Sequence, residues 1–193
     1  MPRPPRADFP GAWHHVMNRG ADHRDIFEHD VDCDVFLDAL AEAAERAGLE
    51  VYAYCLMTNH FHLLLQSLEG NLSNGMQCLS GRFTRLINLR VVRDGPLFRG
   101  RYTSVPIASD AHLVQTCRYI HLNPVVAHLT PTAEQWRWSS AGAYIGAGDL
   151  RPWLKTEAVL ELFGPGDCIA AYRDFMAAGN DRGTTDFYAA MGW

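Results

Sequence analysis

Two histidines one residue apart, His60 and His62, stand at the head of an apolar run in TNHFHLLLQ, residues 58–66. On an extended strand, side chains two apart face the same way. Both imidazoles then project together, and Phe61 goes to the opposite face. Two neutral imidazoles so placed hold one divalent cation if a third ligand comes from elsewhere. A partly exposed strand pair without any ligand fits the motif alone better. The second grouping is CRYIHLNPV, residues 117–125. Leu113, Cys117 and Ile120 follow a helical stripe that suits a core. Gln115, Tyr119 and Asn123 recur four apart on another face, so a phenol and a carboxamide stand one turn apart. Asn offers a hard oxygen ligand, and with two His it suits Mg2+ or Mn2+ better than a thiolate site does. A tyrosine is a nucleophile once its site helps remove a proton whose ordinary pKa is about 10. Pro124 disfavours the α conformation at Asn123, which pulls that side chain from ideal geometry.

The elements that must position these groups follow from periodicity and punctuation. AWHHVMNRG (12–20) predicts a strand ending in a turn at Gly20. Residues 30–48 predict a helix stopped by Gly48 at its C′ position. LEVYAYCLM (49–57) and FHLLLQS (61–67) predict two strands joined by TNH. Residues 71–92 predict a second helix, weakened by Gly75 and Gly81, and RGRYTSVPI (99–107) a fourth strand. Asp110 is the expected N-cap of a third helix that Pro124 stops. Two short helical patterns follow, TEAVLELFG and DCIAAYRDFMAAG. Strand, helix, strand, strand, helix, strand, helix is an α+β order. It matches a ferredoxin-like antiparallel sheet with packed helices. The expected organisation is one such domain over residues 1–140, with a short helical C-terminal extension over 141–193 packed on it.

Bulk properties limit the function classes. The 193 residues are 48% hydrophobic and 20% charged, as in an ordinary globular chain. No apolar run approaches the roughly 20 residues of a membrane helix, and the Pro-rich start lacks the apolar core of a secretory signal. Five scattered cysteines, with no CxxC pair, point to a reducing cytoplasm. The net charge of −5 argues against general nucleic-acid binding, but its distribution is uneven. Residues 21–50 carry ten acidic side chains. Residues 80–120 carry Arg82, Arg85, Arg90, Arg93, Arg99, Arg101 and Arg118 against Asp94 and Asp110. Arg suits bidentate phosphate contacts and base stacking; a salt-bridged solvated face is the competing explanation.

Other residues carry weaker expectations. Arg19, at a strand-end turn, is a phosphate-contact candidate. Tyr102, after two arginines, is a base-stacking or structural residue and the reserve nucleophile. Tyr52 and Tyr54 suit packing, as do Trp136 and Trp138. One of His14 and His15 must face the helices and the other the site, in a structural or DNA-contact role, with a fourth metal ligand as the lesser alternative. His112, His121 and His128 are expected on helix surfaces.

In chain order, HHVMNRG, YCLMTNHFHLLL, SGRFTRLIN, GPLFRGRYTS, RYIHLNPV and WRWSS resemble the REP-associated tyrosine transposases, a branch of the single-tyrosine HUH endonuclease superfamily. They span residues 14–140. One departure is Val126, where relatives commonly carry a basic residue. The resemblance implies the ferredoxin-like HUH fold, a divalent metal (Mg2+ or Mn2+) on His60 and His62, Asn123 as the polar residue completing that site, and Tyr119 as nucleophile. It implies cleavage and rejoining of single-stranded DNA near palindromic hairpins through a 5′-phosphotyrosine. Arg19, Arg82, Arg85, Arg99, Arg101 and Tyr102 are the expected DNA-binding residues. The expected protein is cytoplasmic and nucleoid-associated, with no membrane partner, as a monomer or homodimer. Two other functions stay open: a hairpin-binding protein that has lost catalysis, and a metal hydrolase using water, for which only Glu50 and Glu69 flank the hairpin as bases.

Overall fold

Gly48 shows how closely local chemistry sets the boundaries. It closes the first helix, α1 (Asp30–Ala47), with a left-handed φ of 60° and an N–H bonded to Ala44 O, a conformation glycine adopts without a Cβ penalty. At the other end of α1 the Asp32 carboxylate accepts from the N–H groups of Glu28 and His29, satisfying donors a helix start leaves open. It also pairs with Arg90 at the end of α2 (Leu72–Arg90). The computed structural model describes residues 8–90, 95–148, 151–179 and 182–191. The chain forms two compact units. The first runs to Val51 and resumes over Leu56–Ile107; the second takes Tyr52–Cys55 and the chain from Ala108 onward.

Four strands make the sheet: β1 (Ala12–Arg19), β2 (Leu49–Leu56), β3 (His60–Ser67) and β4 (Thr103–Ile107), in the order β2-β3-β1-β4. β1 lies antiparallel to both of its neighbours. Together with the element order, this is the split βαβ arrangement of the ferredoxin-like sandwich that the sequence predicts. The fourth strand is shorter than expected, beginning at Thr103 rather than 99.

Alternation along β3 sorts its residues as expected. Phe61 enters an aromatic core with Phe36 of α1 at 4.7 Å between centroids, and Phe36 meets Phe83 of α2 edge-on at 5.1 Å. All three rings are fully buried, each worth roughly 1.5–3 kcal/mol in removed apolar surface. His60 and His62 therefore lie on the sheet face away from α1 and α2. β1 divides its histidines the same way. His14 faces the helices, bonded to Ser104 Oγ at 3.0 Å and to Asp8 at 3.2 Å, and Asp8 also accepts from Leu72 N at the start of α2.

The second unit is built on α3 (Asp110–Val126) with α4 (Ala141–Tyr144), α5 (Glu157–Leu160), α6 (Cys168–Ala177) and α7 (Arg182–Ala190). Two expectations for α3 are corrected. Its cap is Ser109, whose Oγ accepts from His112 N at 3.2 Å, and the helix runs through Pro124 to Val126. Pro124 lies in the last turn, where its missing N–H forfeits one bond, and Ala127 N and Leu129 N close the end on Asn123 O and Pro124 O. His121 is also corrected: it is fully buried, not on a helix surface. Its ring bridges Tyr172 Oη and Ser140 Oγ, each at 2.7 Å. Ser140 Oγ in turn accepts from Tyr54 N at 2.9 Å, and Tyr144 Oη donates to Tyr52 O at 2.7 Å. Burial pushes the His121 pKa down to about 3, so the ring is neutral, as a core bridging residue must be. Among the described residues, no helix is long and apolar enough to cross a membrane.

Candidate cation seat and tyrosine

The turn ahead of His60 is held from two directions. Met57 N bonds His60 O at 2.9 Å, closing the β2–β3 hairpin. The loop after β1 then clamps it: Ile26 N and Phe27 N both donate to Thr58 O, and Gly20 N donates to Asn59 O at 2.8 Å. Gly20 is required by close approach, because a Cβ there would lie 2.0 Å from Arg24 O.

On this frame the His60 and His62 rings stand 5.0 Å apart at 89°. His60 Nδ1 lies 2.7 Å from Asn59 Oδ1; an amide oxygen accepts only, so Nδ1 carries the proton and Nε2 the lone pair. His62 Nδ1 lies 3.0 Å from His15 Nε2. His62 is fully buried, and burial, followed by its neighbours His60 and His15, holds its pKa well below the ordinary 6.5. A neutral imidazole is the ligating form. Among the described residues no group of three or more His, Cys, Asp or Glu converges on a metal position. Two imidazoles alone would leave a cation to be completed by oxygen from an amide, water or phosphate, a mixed set compatible with the expected Mg2+ or Mn2+.

The expected DNA-binding residues are distributed around the first unit. Arg19 pairs in register with His60 across the sheet, and Arg99 N bonds Arg19 O at 2.9 Å, so both arginines sit at the histidine end. Arg85, Arg99 and Arg101 are exposed. Arg82 is bonded to Glu42 at 2.8 Å. Tyr102 is buried, its Oη 3.2 Å from Ser73 Oγ of α2. Of the other arginines in the basic segment, Arg90 holds Asp32, and Arg118 is buried against Phe175 O and Gln115 Oε1 in the second unit. Arg93 lies outside the described residues. This sorting sharpens an expected outcome. Neutralising Arg85, Arg99 and Arg101 together lowers the salt slope of single-strand binding by roughly 0.7 for each phosphate left without its arginine. Arg82→Gln alone moves it less, because Glu42 already neutralises that charge. Binding titrations across a salt series check both; an unchanged slope in the triple variant removes these residues from the DNA face.

In the second unit, the Tyr119 side chain is 8% exposed and stacks on Tyr188 of α7, with centroids 4.1 Å apart and planes 23° apart. Burial pushes the Tyr119 phenol up to about 12, against a smaller opposing effect of its hydrogen bond with Asn123. The Asn123 amide also donates to Tyr119 O at 2.9 Å, tying the carboxamide to the tyrosine's own turn. A raised pKa means less phenolate at every pH below it. Tyr188→Ala opens one face of the ring and shifts the pH–rate profile of any Tyr119 reaction to lower pH. The expected gain at neutral pH is up to about a hundredfold as the pKa returns toward about 10. Rates measured from pH 7 to 10 in both proteins test it, and superimposable profiles overturn it.

Two residues at these sites escape motif reasoning. Asn59 contacts His60, and its only sequence signal is its turn position. His15, one of the two histidines from which strand alternation selects the site-facing one, contacts His62. Tyr188 lies on a helix that RGTTDFYAA, with its glycine and paired threonines, does not announce.

The sheet order is that of a ferredoxin-like fold. The family model described as "Transposase IS200 like" matches residues 9–123, more than half of the chain, and the protein belongs to that family. Over 116 residues it is 27% identical to a Haemophilus influenzae (strain ATCC 51907 / DSM 11121 / KW20 / Rd) protein named as a REP-associated tyrosine transposase. That match covers 54% of this chain and 66% of the relative, just under two thirds of its length. A solved structure of a REP-associated tyrosine transposase bound to a REP hairpin superposes with a TM-score of 0.65. It covers 80% of this chain and 92% of that one at 15% identity, a likeness of fold.

Proposed function

We propose that this protein cuts and rejoins single-stranded DNA beside palindromic hairpins, with Tyr119 as nucleophile and a divalent cation held by His60 and His62. The observation that carries this is the histidine pair: both rings have Nδ1 hydrogen-bonded, on a face turned away from the aromatic core. Asn123 is the proposed oxygen ligand and holds the Tyr119 side chain by a hydrogen bond. The cation, Mg2+ or Mn2+, supplies polarisation of the scissile phosphate when bound. Arg19 and Arg99, at the histidine end of β1, draw the DNA backbone there and fix its register. The Tyr119 oxygen attacks phosphorus as its proton passes to solvent. The bond to the 3′ oxygen breaks, and that oxygen takes a proton to become the 3′-hydroxyl. The product is a 5′-phosphotyrosine, whose ester energy lets a 3′-hydroxyl reverse the step without ATP. Such a protein works in the cytoplasm, where its DNA is.

A labelled palindromic single strand incubated with the protein and Mn2+ tests this on a denaturing gel. The expected result is a covalent protein–DNA band that EDTA prevents. Hairpin binding without cleavage instead marks a silent binding protein, a reading favoured by the covered, protonated Tyr119. Cleavage without an adduct marks water as the nucleophile.

A further inference from the structure

We propose that His15 is a positioning residue for the cation seat: it accepts a hydrogen bond from His62 Nδ1 and so holds His62 in the tautomer whose Nε2 ligates. This rests on the metal reading above. β1 pairs with β3 so that His15 stands opposite Leu64, one diagonal step from His62 on the same sheet face. Both rings are fully buried, 5.1 Å apart between centroids, and His15 Nε2 lies 3.0 Å from His62 Nδ1. A hydrogen bond between two ring nitrogens holds one proton. If His62 Nδ1 carries it, Nε2 keeps its lone pair for a cation. If His15 Nε2 carries it, His62 must hold its own proton on Nε2 and cannot ligate.

The neighbouring histidine shows which arrangement the sheet end is built for. His60 Nδ1 can only donate to Asn59 Oδ1, and the Asn59 amide is oriented in turn by Nδ2 donating to His23 O at 3.2 Å. His60 thus presents Nε2 by construction, and a shared cation needs the same of His62. An unassisted imidazole side chain favours the proton on Nε2, the wrong nitrogen here. A buried acceptor at position 15 reverses that preference, as outer partners of ligating histidines do. A mere packing residue at 15 needs no acceptor atom.

The test uses the full chain and two readouts other than cleavage. In 15N-histidine-labelled protein without metal, long-range proton–nitrogen correlations are expected to place the His62 proton on Nδ1. Mn2+ titration followed by electron paramagnetic resonance is expected to show about 10–100-fold weaker binding in His15→Leu. His15→Gln, which offers a carbonyl oxygen, is expected to recover most of the affinity. A His62 proton found on Nε2 overturns the proposal. So does a Leu variant with wild-type affinity, or a Gln variant no better than Leu at equal thermal stability. If the Leu variant does not fold, the wild-type tautomer and the Gln variant decide. A wild-type chain that binds no Mn2+ sinks the metal reading and this inference with it. Wild-type binding matched by His15→Leu sinks this inference alone.

Discussion

Tyr119→Phe is expected to bind hairpin DNA and Mn2+ as the wild type does, yet form no covalent adduct. The substitution removes one oxygen and keeps the ring, so the stack on Tyr188 at 4.1 Å survives. Its cost to stability is the hydrogen bond with Asn123, roughly 0.5–1.5 kcal/mol. The expected cost to chemistry is far larger, because the proposed attacking atom is gone. On the same face of α3, Gln115 and Asn123 are carboxamides and offer no replacement nucleophile. Adduct yield and release of the 3′-hydroxyl should fall by roughly a thousandfold or more. A thermal melt beside the denaturing gel separates loss of chemistry from loss of fold. Adduct persisting in the variant moves the nucleophile elsewhere. Tyr102 is then first in line, although it is buried against Ser73.

Where local chemistry decided a boundary, the sequence was readable. Gly48 ends α1, a turn at Thr58 and Asn59 separates β2 from a β3 that starts one residue earlier than expected, and alternation sends Phe61 to the core and His60 and His62 to the other face. What failed depended on context that the local sequence does not contain. Pro124 reads as a stop, but in a final turn it removes a single hydrogen bond. His121 reads as a surface residue, because nothing local says that Tyr172, 51 positions away, and Ser140 will satisfy its two nitrogens. Arg82 reads as one cation of a basic segment, but Glu42 of α1 pairs with it across the helices. The candidate site divides along the same line. His60, His62, Tyr119 and Asn123 are recognisable by type and spacing. Their partners are less so: alternation puts one of His14 and His15 on the site face, but only strand register brings His15 to His62, and Tyr188 meets Tyr119 only through the docking of α7 on α3.

Under the proposed chemistry, loss of His60 is expected to be nearly as damaging as loss of Tyr119. His60→Ala leaves the aromatic core of the first unit untouched, since His60 is half-buried on the opposite face. Mn2+ should bind at least about 10–100-fold more weakly, the range seen when even outer partners of a ligand are removed. Adduct formation should disappear at cation concentrations that saturate the wild type, and EDTA should reproduce this in the wild-type protein. Hairpin affinity should change little, because contacts to phosphates dominate such binding and arginines are their proposed source here. His62→Ala should show the same two losses plus a stability penalty that His60→Ala lacks. It removes a fully buried ring and leaves His15 Nε2 without the nitrogen that lies 3.0 Å away, at a cost of roughly 1–3 kcal/mol. Comparing the two variants by melting temperature and Mn2+ titration separates ligation from packing. Equal melting temperatures contradict the buried His15–His62 contact. Wild-type Mn2+ affinity and adduct yield in His60→Ala remove the cation from this pair and leave the two histidines as parts of the sheet.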